Sequence, residues 1–211
     1  MLLFAQNEET QEEHKVHGTI KIAPFDFVAN TLTLGVEQKI APKVSVQLYG
    51  SIIMNKNGGG NNYDKYALNS IGGAGELQIK RFLLNKRTPL DGLYAGLFAK
   101  YLYLENTRTP NDNYIGNINY YPSTPSTPDP LALEPKLILN QYSGGFLVGY
   151  QVIIAKLVAL DFYGGGGIKI SEANYSDNSL DFIENNTTMS LFYRNYSGIF
   201  PKFGIKAGIT F

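Results

Sequence analysis

Few residues in this sequence are suited to catalysis or metal binding. The chain holds no cysteine and only two histidines, His14 and His17, both near its beginning. A serine or threonine nucleophile needs a neighbouring base, and zinc sites are built largely from cysteine and histidine. The carboxylates of Asp181 and Glu184 form one acid–base candidate, but carboxylates in such polar stretches are usually only solvated. We therefore expect no enzymatic activity, no metal site and no cofactor.

Two glycine-rich stretches, residues 164–167 and 72–75, have the composition of a phosphate-binding loop. Such a loop opens a helix, so that backbone N–H groups at the helix start face the phosphate. Here Ile168, Lys169 and Ile170 instead continue an alternating pattern typical of a strand. We expect these glycines to relieve crowding or allow curvature in a tightly bent sheet.

Alternation of apolar and polar residues dominates the chain from residue 17 onward. In the last segment Ile205 and Ile209 fall on one face, and Lys202 and Lys206 fall on the other. A period of two residues indicates β-strands whose two faces meet different surroundings. The pattern predicts about eight strands, at residues 17–24, 31–39, 44–54, 71–83, 92–104, 140–152, 157–170 and 199–211.

The connections between these strands alternate in length along the chain. Short turns are predicted at 41–43, 86–91 and 154–156, whereas 55–69, 105–138 and 171–197 are long and polar; the first connection, 25–30, is short. This alternation is typical of an antiparallel up-and-down transmembrane β-barrel with short periplasmic turns and long extracellular loops. A Greek-key sandwich does not produce it. The predicted strands also match the roughly 9–11 tilted residues that cross a bilayer.

The composition fits this fold class and excludes others. The 211 residues suit one domain, and 18 basic residues balance 18 acidic residues. Zero net charge argues against a nucleic-acid partner, whose binding depends on clustered cations. No apolar run approaches the roughly 18–20 residues of a spanning helix. Aromatic residues placed near predicted strand ends suggest girdles at two interfaces: Tyr101, Tyr103, Tyr142, Tyr150, Phe200 and Phe211.

The polar face of the predicted strands carries ten charged residues, with an excess of cations. They are Lys21, Glu37, Lys39, Glu76, Lys80, Lys100, Asp161, Lys169, Lys202 and Lys206. An eight-stranded barrel is only wide enough for side chains to fill, and buried charges must pair. We expect a structural network of ion pairs between the three carboxylates and the lysines. A narrow pore with a weak preference for anions is the alternative.

The chain divides into three parts. Residues 1–5 read as the remnant of a secretory signal peptide, residues 6–16 as a flexible polar tail, and residues 17–211 as the barrel domain. Within the 105–138 connection, Tyr114, Tyr120 and Tyr121 accompany a proline-rich run. Proline stiffens such a segment, and tyrosine supplies contact area at low entropic cost. We consider this loop a candidate for recognising an extracellular partner; a merely solvated loop is the alternative.

The final strand, Phe203-Gly-Ile-Lys-Ala-Gly-Ile-Thr-Phe211, resembles the C-terminal strand of bacterial outer-membrane barrels. With the loop pattern, the chain resembles a small, porin-like barrel of the OmpA or OmpX type. The resemblance implies a place in the Gram-negative outer membrane, reached through the periplasm, with outer-membrane lipid as its surroundings. It also implies an assembly signal for the barrel-insertion machinery, formed by Phe203, Ile205, Ile209 and Phe211.

The resemblance says little about function, because such barrels serve as adhesins, enzymes, anchors or small pores. We expect a non-enzymatic barrel with a structural or adhesin-like recognition role through its long loops. Besides the narrow pore, a soluble lipocalin-like barrel that carries a small apolar ligand is an alternative. A lipocalin-like barrel would need an apolar inner face, whereas small polar residues suit a narrow lumen better.

Overall fold

The chain folds into eight antiparallel strands that close into an up-and-down barrel. The computed structural model describes residues 16–58, 66–85, 90–110, 136–175 and 196–211. The strands are β1 (Gly18–Ile22), β2 (Thr31–Ala41), β3 (Val44–Gly58), β4 (Tyr66–Asn85), β5 (Gly92–Pro110), β6 (Lys136–Ile154), β7 (Val158–Tyr175) and β8 (Gly198–Thr210). The predicted all-β, antiparallel up-and-down barrel of eight strands is confirmed.

The connections distinguish the two ends of the barrel. The turn end carries the connections 42–43, 86–91 and 155–157, and it is also where β1 begins and β8 ends. At 155–157, Ala155 and Lys156 both have positive φ angles, of 52° and 55°. This backbone matches the right-handed twist of the flanking strands and makes the tight hairpin possible. The loop end carries the connections 59–65, 111–135 and 176–197, with a 3₁₀ helix (Pro24–Ala29) between β1 and β2.

Strand lengths differ around the barrel. The tall wall consists of β4 to β7, with 18 to 20 residues each, whereas β1 has only 5 and β2 has 11. The sequence pattern underestimated the tall strands and extended β1 beyond Ile22. The prediction that Tyr101 and Tyr142 lie near strand ends is therefore wrong: both are well inside their strands. Phe200, also assigned to a girdle, packs inside the barrel against Phe98.

The exposure of the two strand faces is the reverse of that in a protein with an apolar core. Here the apolar face is exposed on the outside, and the polar face is buried on the inside. Leu97 on the outer face is 65% exposed, whereas Lys21 and Lys80 on the inner face are 0% exposed. The same holds around the ring, because inward and outward positions alternate along every strand. No helix in the described ranges is long and apolar enough to cross a membrane.

Candidate functional site

The centre of the barrel near the turn end holds a network of four buried charges, Lys21, Glu37, Lys80 and Asp161. The Nζ atom of Lys21 lies 2.6 Å from Oε2 of Glu37 and 2.9 Å from Oδ2 of Asp161. The Nζ atom of Lys80 lies 2.6 Å from the same Oδ2 and 3.5 Å from Oε1 of Glu37. Two cations and two anions thus alternate in a closed, neutral four-charge network.

Neutral side chains complete the hydrogen bonding of this network. Ser45 donates to Oε1 of Glu37 at 2.6 Å, and Tyr94 donates to Oδ1 of Asp161 at 2.7 Å. Lys21 also donates to Oε1 of Gln151 at 2.7 Å. The four charges and these three partners come from seven different strands, β1 to β7. Buried ions are tolerated only when such partners satisfy their remaining donors and acceptors.

Below the network, towards the turn end, an apolar cluster fills the barrel. It consists of Val16, Phe82, Leu90 and Tyr94, all at most 2% exposed. The rings of Phe82 and Tyr94 lie 5.7 Å apart in a tilted arrangement. Val16 belongs to the stretch expected to be a polar tail, and it packs here because the chain enters the barrel beside the turn end.

Above the network a second ion pair joins the tall wall to β8. The Nζ atom of Lys202 lies 2.6 Å from Oε2 of Glu76, and Gln78 donates to the other carboxylate oxygen at 2.5 Å. The Lys202 ammonium also sits 4.6 Å from the ring centre of Phe98. Lys100 is half-buried beside this pair, directly across the β4–β5 ladder from Glu76.

Lys206 lies in the lumen in a different setting. Its ammonium is 4.0 Å from the ring centre of Tyr49 and 4.4 Å from that of Tyr163. The side chain is 3% exposed, and its Nζ has no hydrogen-bond acceptor among the described residues. Aromatic faces attract a cation, but they do not replace the acceptors that it had in water.

Three inward-facing tyrosines lie over glycines of the neighbouring strand. Tyr49 stands opposite Gly35, Tyr94 opposite Gly149, and Tyr163 opposite Gly204. A Cβ atom built on any of these three glycines would collide with the ring. The glycines therefore create the space in which the rings lie flat across the lumen. Gly165 and Gly167 likewise approach the backbone of β6 too closely for a side chain, which accounts for half of the 164–167 run.

Towards the loop end the lumen becomes apolar again. Ile53, Leu102, Leu104 and Leu139 form a second buried cluster on the inner face. Lys169 lies near the same level, with its ammonium 5.4 Å from the ring centre of Tyr196 and 5.8 Å from that of Phe200. In the described part of the chain, side chains thus fill the lumen in alternating apolar and charged layers.

The alternation of the sequence placed Lys21, Glu37, Lys80 and Asp161 on one face, and the structure brings these four together. Glu76 and Lys202 form the separate pair, while Lys169 and Lys206 sit against rings. Lys39 is half-buried near the turn end. Sequence reasoning missed the role of Tyr94, Gln151 and Ser45, although their inward positions follow from the same alternation.

The predicted assembly signal is placed on the outer face of the last strand. Phe203, Ile209 and Phe211 are exposed, and Ile205 is half-exposed. The backbone carbonyl of Phe211 accepts hydrogen bonds from the N–H groups of His17 at 2.8 Å and Gly18 at 3.0 Å. The end of the last strand therefore closes the ring against the beginning of the first.

Several predicted residues lie outside the described residues. These are the loop tyrosines Tyr114, Tyr120 and Tyr121, the carboxylates Asp181 and Glu184, His14, and the signal-peptide remnant 1–5. Among the residues that the structure does describe, no cluster of three or more histidine, cysteine or acidic side chains is arranged to hold a metal ion.

No protein-family model matches the chain, and no curated protein is similar to it. The function of the protein must therefore be inferred from the barrel and its interior. The hydrogen bonds and ion pairs described above join strands across the lumen, and this arrangement is suited to holding a narrow barrel closed.

We expect removal of one charge of the four-charge network to destabilise the barrel strongly. D161N leaves Lys21 and Lys80 with Glu37 as their single carboxylate, which should lower the free energy of unfolding by about 3–5 kcal/mol. The control is E105Q, because Glu105 pairs with Lys136 at 3.1 Å on the partly exposed surface. That pair should contribute at most about 1 kcal/mol. Urea titration of the refolded variants, followed by circular dichroism, measures both; equal losses would contradict the assignment.

Proposed function

We propose that the protein is an integral outer-membrane β-barrel with a non-enzymatic role, structural or in surface recognition. The inside-out distribution of its side chains carries this proposal. Apolar residues such as Ile71, Leu97 and Phe146 are 60–65% exposed on the outer face. Charged residues occupy the interior, where ion pairs take the place of the water that would otherwise solvate them. Such an arrangement is favourable when the solvent around the barrel is lipid.

The height of the apolar outer face supports the same proposal. On β5 it runs from Leu93 to Tyr103, a length that agrees with the roughly 9–11 tilted residues needed to cross a bilayer. On β5 the next outward residue, Glu105, is charged, and Asn140 on β6 and Glu172 on β7 are outward polar residues. Tyr101 and Tyr142, whose rings lie 5.1 Å apart, mark the upper boundary of this apolar band. Tyrosines at such a boundary are typical of an aromatic girdle.

The strands of the tall wall continue past the apolar band. β5 extends from Tyr103 to Pro110 before the connection 111–135 begins, and β6 returns at Lys136. In a membrane these strands would lift that connection, with Tyr114, Tyr120 and Tyr121, clear of the lipid headgroups. We propose that it contacts an extracellular partner there. Recognition by tyrosine-rich loops on a rigid scaffold requires no catalytic group.

The first experiment is heat-modifiable migration on a gel after refolding into detergent. A membrane barrel stays compact in unboiled detergent because its backbone hydrogen bonds are all internal, and it migrates differently after boiling. We expect such a shift, together with insolubility in the absence of detergent. A monomer that stays soluble in plain buffer without a shift would contradict the proposal and favour the lipocalin-like alternative.

A lysine substitution on the outer face tests whether lipid or water surrounds the barrel. In a bilayer, L97K should destabilise the barrel by about 2–4 kcal/mol, because Leu97 lies within the apolar band, while L83K near the turn end should cost about 1 kcal/mol or less. In water, both substitutions of exposed leucines would stay within about 0.5 kcal/mol of zero. Urea titration in phospholipid vesicles measures the two values, and equal, small effects would argue against membrane insertion.

The narrow-pore alternative is tested by conductance. The described lumen is filled by two apolar clusters, the four-charge network and the Glu76–Lys202 pair, so we expect no steady ion current across a planar bilayer containing the protein. A stable current with a preference for anions would favour the pore.

A further inference from the structure

One level of the lumen lies between the four-charge network and the second ion pair. Gln47 and Gln78 stand directly opposite each other there, on β3 and β4. On each strand the next inward residue towards the turn end, Ser45 or Lys80, donates to a carboxylate of the network. Towards the loop end, the next inward residue of β4 is Glu76, a member of the second pair. The two glutamines therefore separate the two charged groups.

Lys206 reaches the same level from β8, through contact with Tyr49. Its ammonium lies 4.0 Å from the ring centre of Tyr49, and the hydroxyl of that ring accepts a hydrogen bond from Nε2 of Gln47. The ring centre of Tyr163 lies 4.4 Å from the ammonium. The ammonium is therefore held between two rings, one of which is bonded to the Gln47 amide. We call Gln47, Gln78 and Lys206 the middle layer.

Each residue of the middle layer has a polar atom without a partner. The Nζ atom of Lys206 and the Oε1 atoms of Gln47 and Gln78 are buried, and none of the three has a hydrogen-bond partner among the described residues. The three residues are at most 3% exposed. Native proteins rarely leave a buried donor or acceptor unpaired, because the loss of its bonds to water is not repaid. One charged donor and two acceptors thus share a level of the lumen in which none of them is satisfied.

The neighbouring carboxylates are already bonded to other groups. Asp161 stands opposite Lys206 in the β7–β8 ladder, but its Oδ2 accepts from the two lysines of the network and its Oδ1 accepts from Tyr94. Both carboxylate oxygens of Glu76 likewise accept from other side chains. The acceptor that Lys206 lacks is therefore best supplied by a bound molecule.

We propose that ordered water occupies the middle layer and bridges Lys206 to Gln47 and Gln78. A water molecule accepts a hydrogen bond from the ammonium and donates to amide oxygens, so it matches one donor and two acceptors. Buried waters typically make about three such bonds to polar groups that are otherwise unsatisfied. Polar groups too far apart for direct contact are commonly joined in this way.

An anion fits the middle layer less well than water. Nε2 of Gln78 donates to Oε1 of Glu76 at 2.5 Å, and this bond fixes the orientation of the amide. The atom of Gln78 that remains unpartnered is therefore an oxygen, which only accepts hydrogen bonds. An amide oxygen and a nearby carboxylate both repel negative charge, whereas a water molecule can donate to them. A halide ion is the alternative that the experiment must exclude.

This inference concerns the interior alone and does not depend on whether lipid surrounds the barrel. The middle layer lies between two groups of ion pairs, and an apolar cluster lies further towards each end. The proposed water is therefore enclosed and does not form part of a channel. A failed gel shift would remove the membrane proposal and leave the hydration of the middle layer to be decided by its own tests.

A crystal structure of the refolded full chain, from crystals grown in sodium bromide, tests the occupant. We expect density for water at about 2.7–3.2 Å from Nζ of Lys206, bridging to at least one of the two amide oxygens, and no anomalous bromide peak. A bromide peak in the layer would overturn the assignment of water. So would a direct hydrogen bond from Nζ to either glutamine, a water that reaches neither amide, or a layer without ordered density.

A double-mutant cycle tests the bridge in solution. K206M and Q78M each remove one partner of the water, so their effects on the equilibrium constant for unfolding should deviate from a simple product by about fivefold or more. The matched control combines K206M with Q141M, the same substitution at a glutamine that donates to Ser171 near the loop end. The effects of that pair should multiply within about twofold. Urea titration of the refolded variants measures both cycles, and a Q78M cycle as independent as the Q141M cycle would overturn the bridge.

Discussion

The four-charge network is the interaction on which the rest of the barrel depends. Lys21, Glu37, Lys80 and Asp161, with Ser45, Tyr94 and Gln151, bring side chains from seven strands to one place in the lumen. The two apolar clusters fill the lumen only towards its ends, so the charged network joins the opposite walls between them. In lipid, the apolar outer face gains little by packing against itself, so contacts across the lumen must supply the specificity. Removing a single member leaves an unbalanced buried charge, a much larger loss than that of a surface pair.

The narrow lumen also limits which residues can surround this network. Eight strands leave room for one layer of side chains, and three tyrosines use it by lying over Gly35, Gly149 and Gly204. The rings then provide faces for Lys80 and Lys206, at 4.4 Å and 4.0 Å from the ring centres of Tyr94 and Tyr49. Glycines that face outward obey no such constraint, as the open space at Gly50 and Gly164 shows. The glycines therefore fall into two groups. Those on the inner face make room for tyrosine rings, whereas outward ones such as Gly50 and Gly164 leave open space, and the sequence alone does not distinguish the two groups.

Much of this architecture could be predicted from the period of the sequence. Alternation assigned residues such as Leu97 and Lys80 to opposite faces, because successive side chains of a strand point to opposite sides. It could not predict which inward residues meet, since Lys21 and Asp161 are brought together by ring closure and register rather than by sequence spacing. It also misjudged strand ends, because β5 keeps alternating through polar residues above the apolar band. The roles of Tyr94 and Lys206 depend on those cross-lumen distances and were not foreseen.

The unequal strand lengths determine on which side of the barrel the proposed recognition loop stands. The tall wall, β4 to β7, carries three of the four residues of the loop-end apolar cluster and extends above the apolar band, so any recognition through the connection 111–135 belongs to that side. The opposite side is low because β1 ends at Ile22, and there the ladder gives way to the 3₁₀ helix. A continuous antiparallel wall satisfies its backbone groups between neighbouring strands and opens only at high cost. The short β1 and the helix after it therefore form the part of the wall with the fewest paired strand residues.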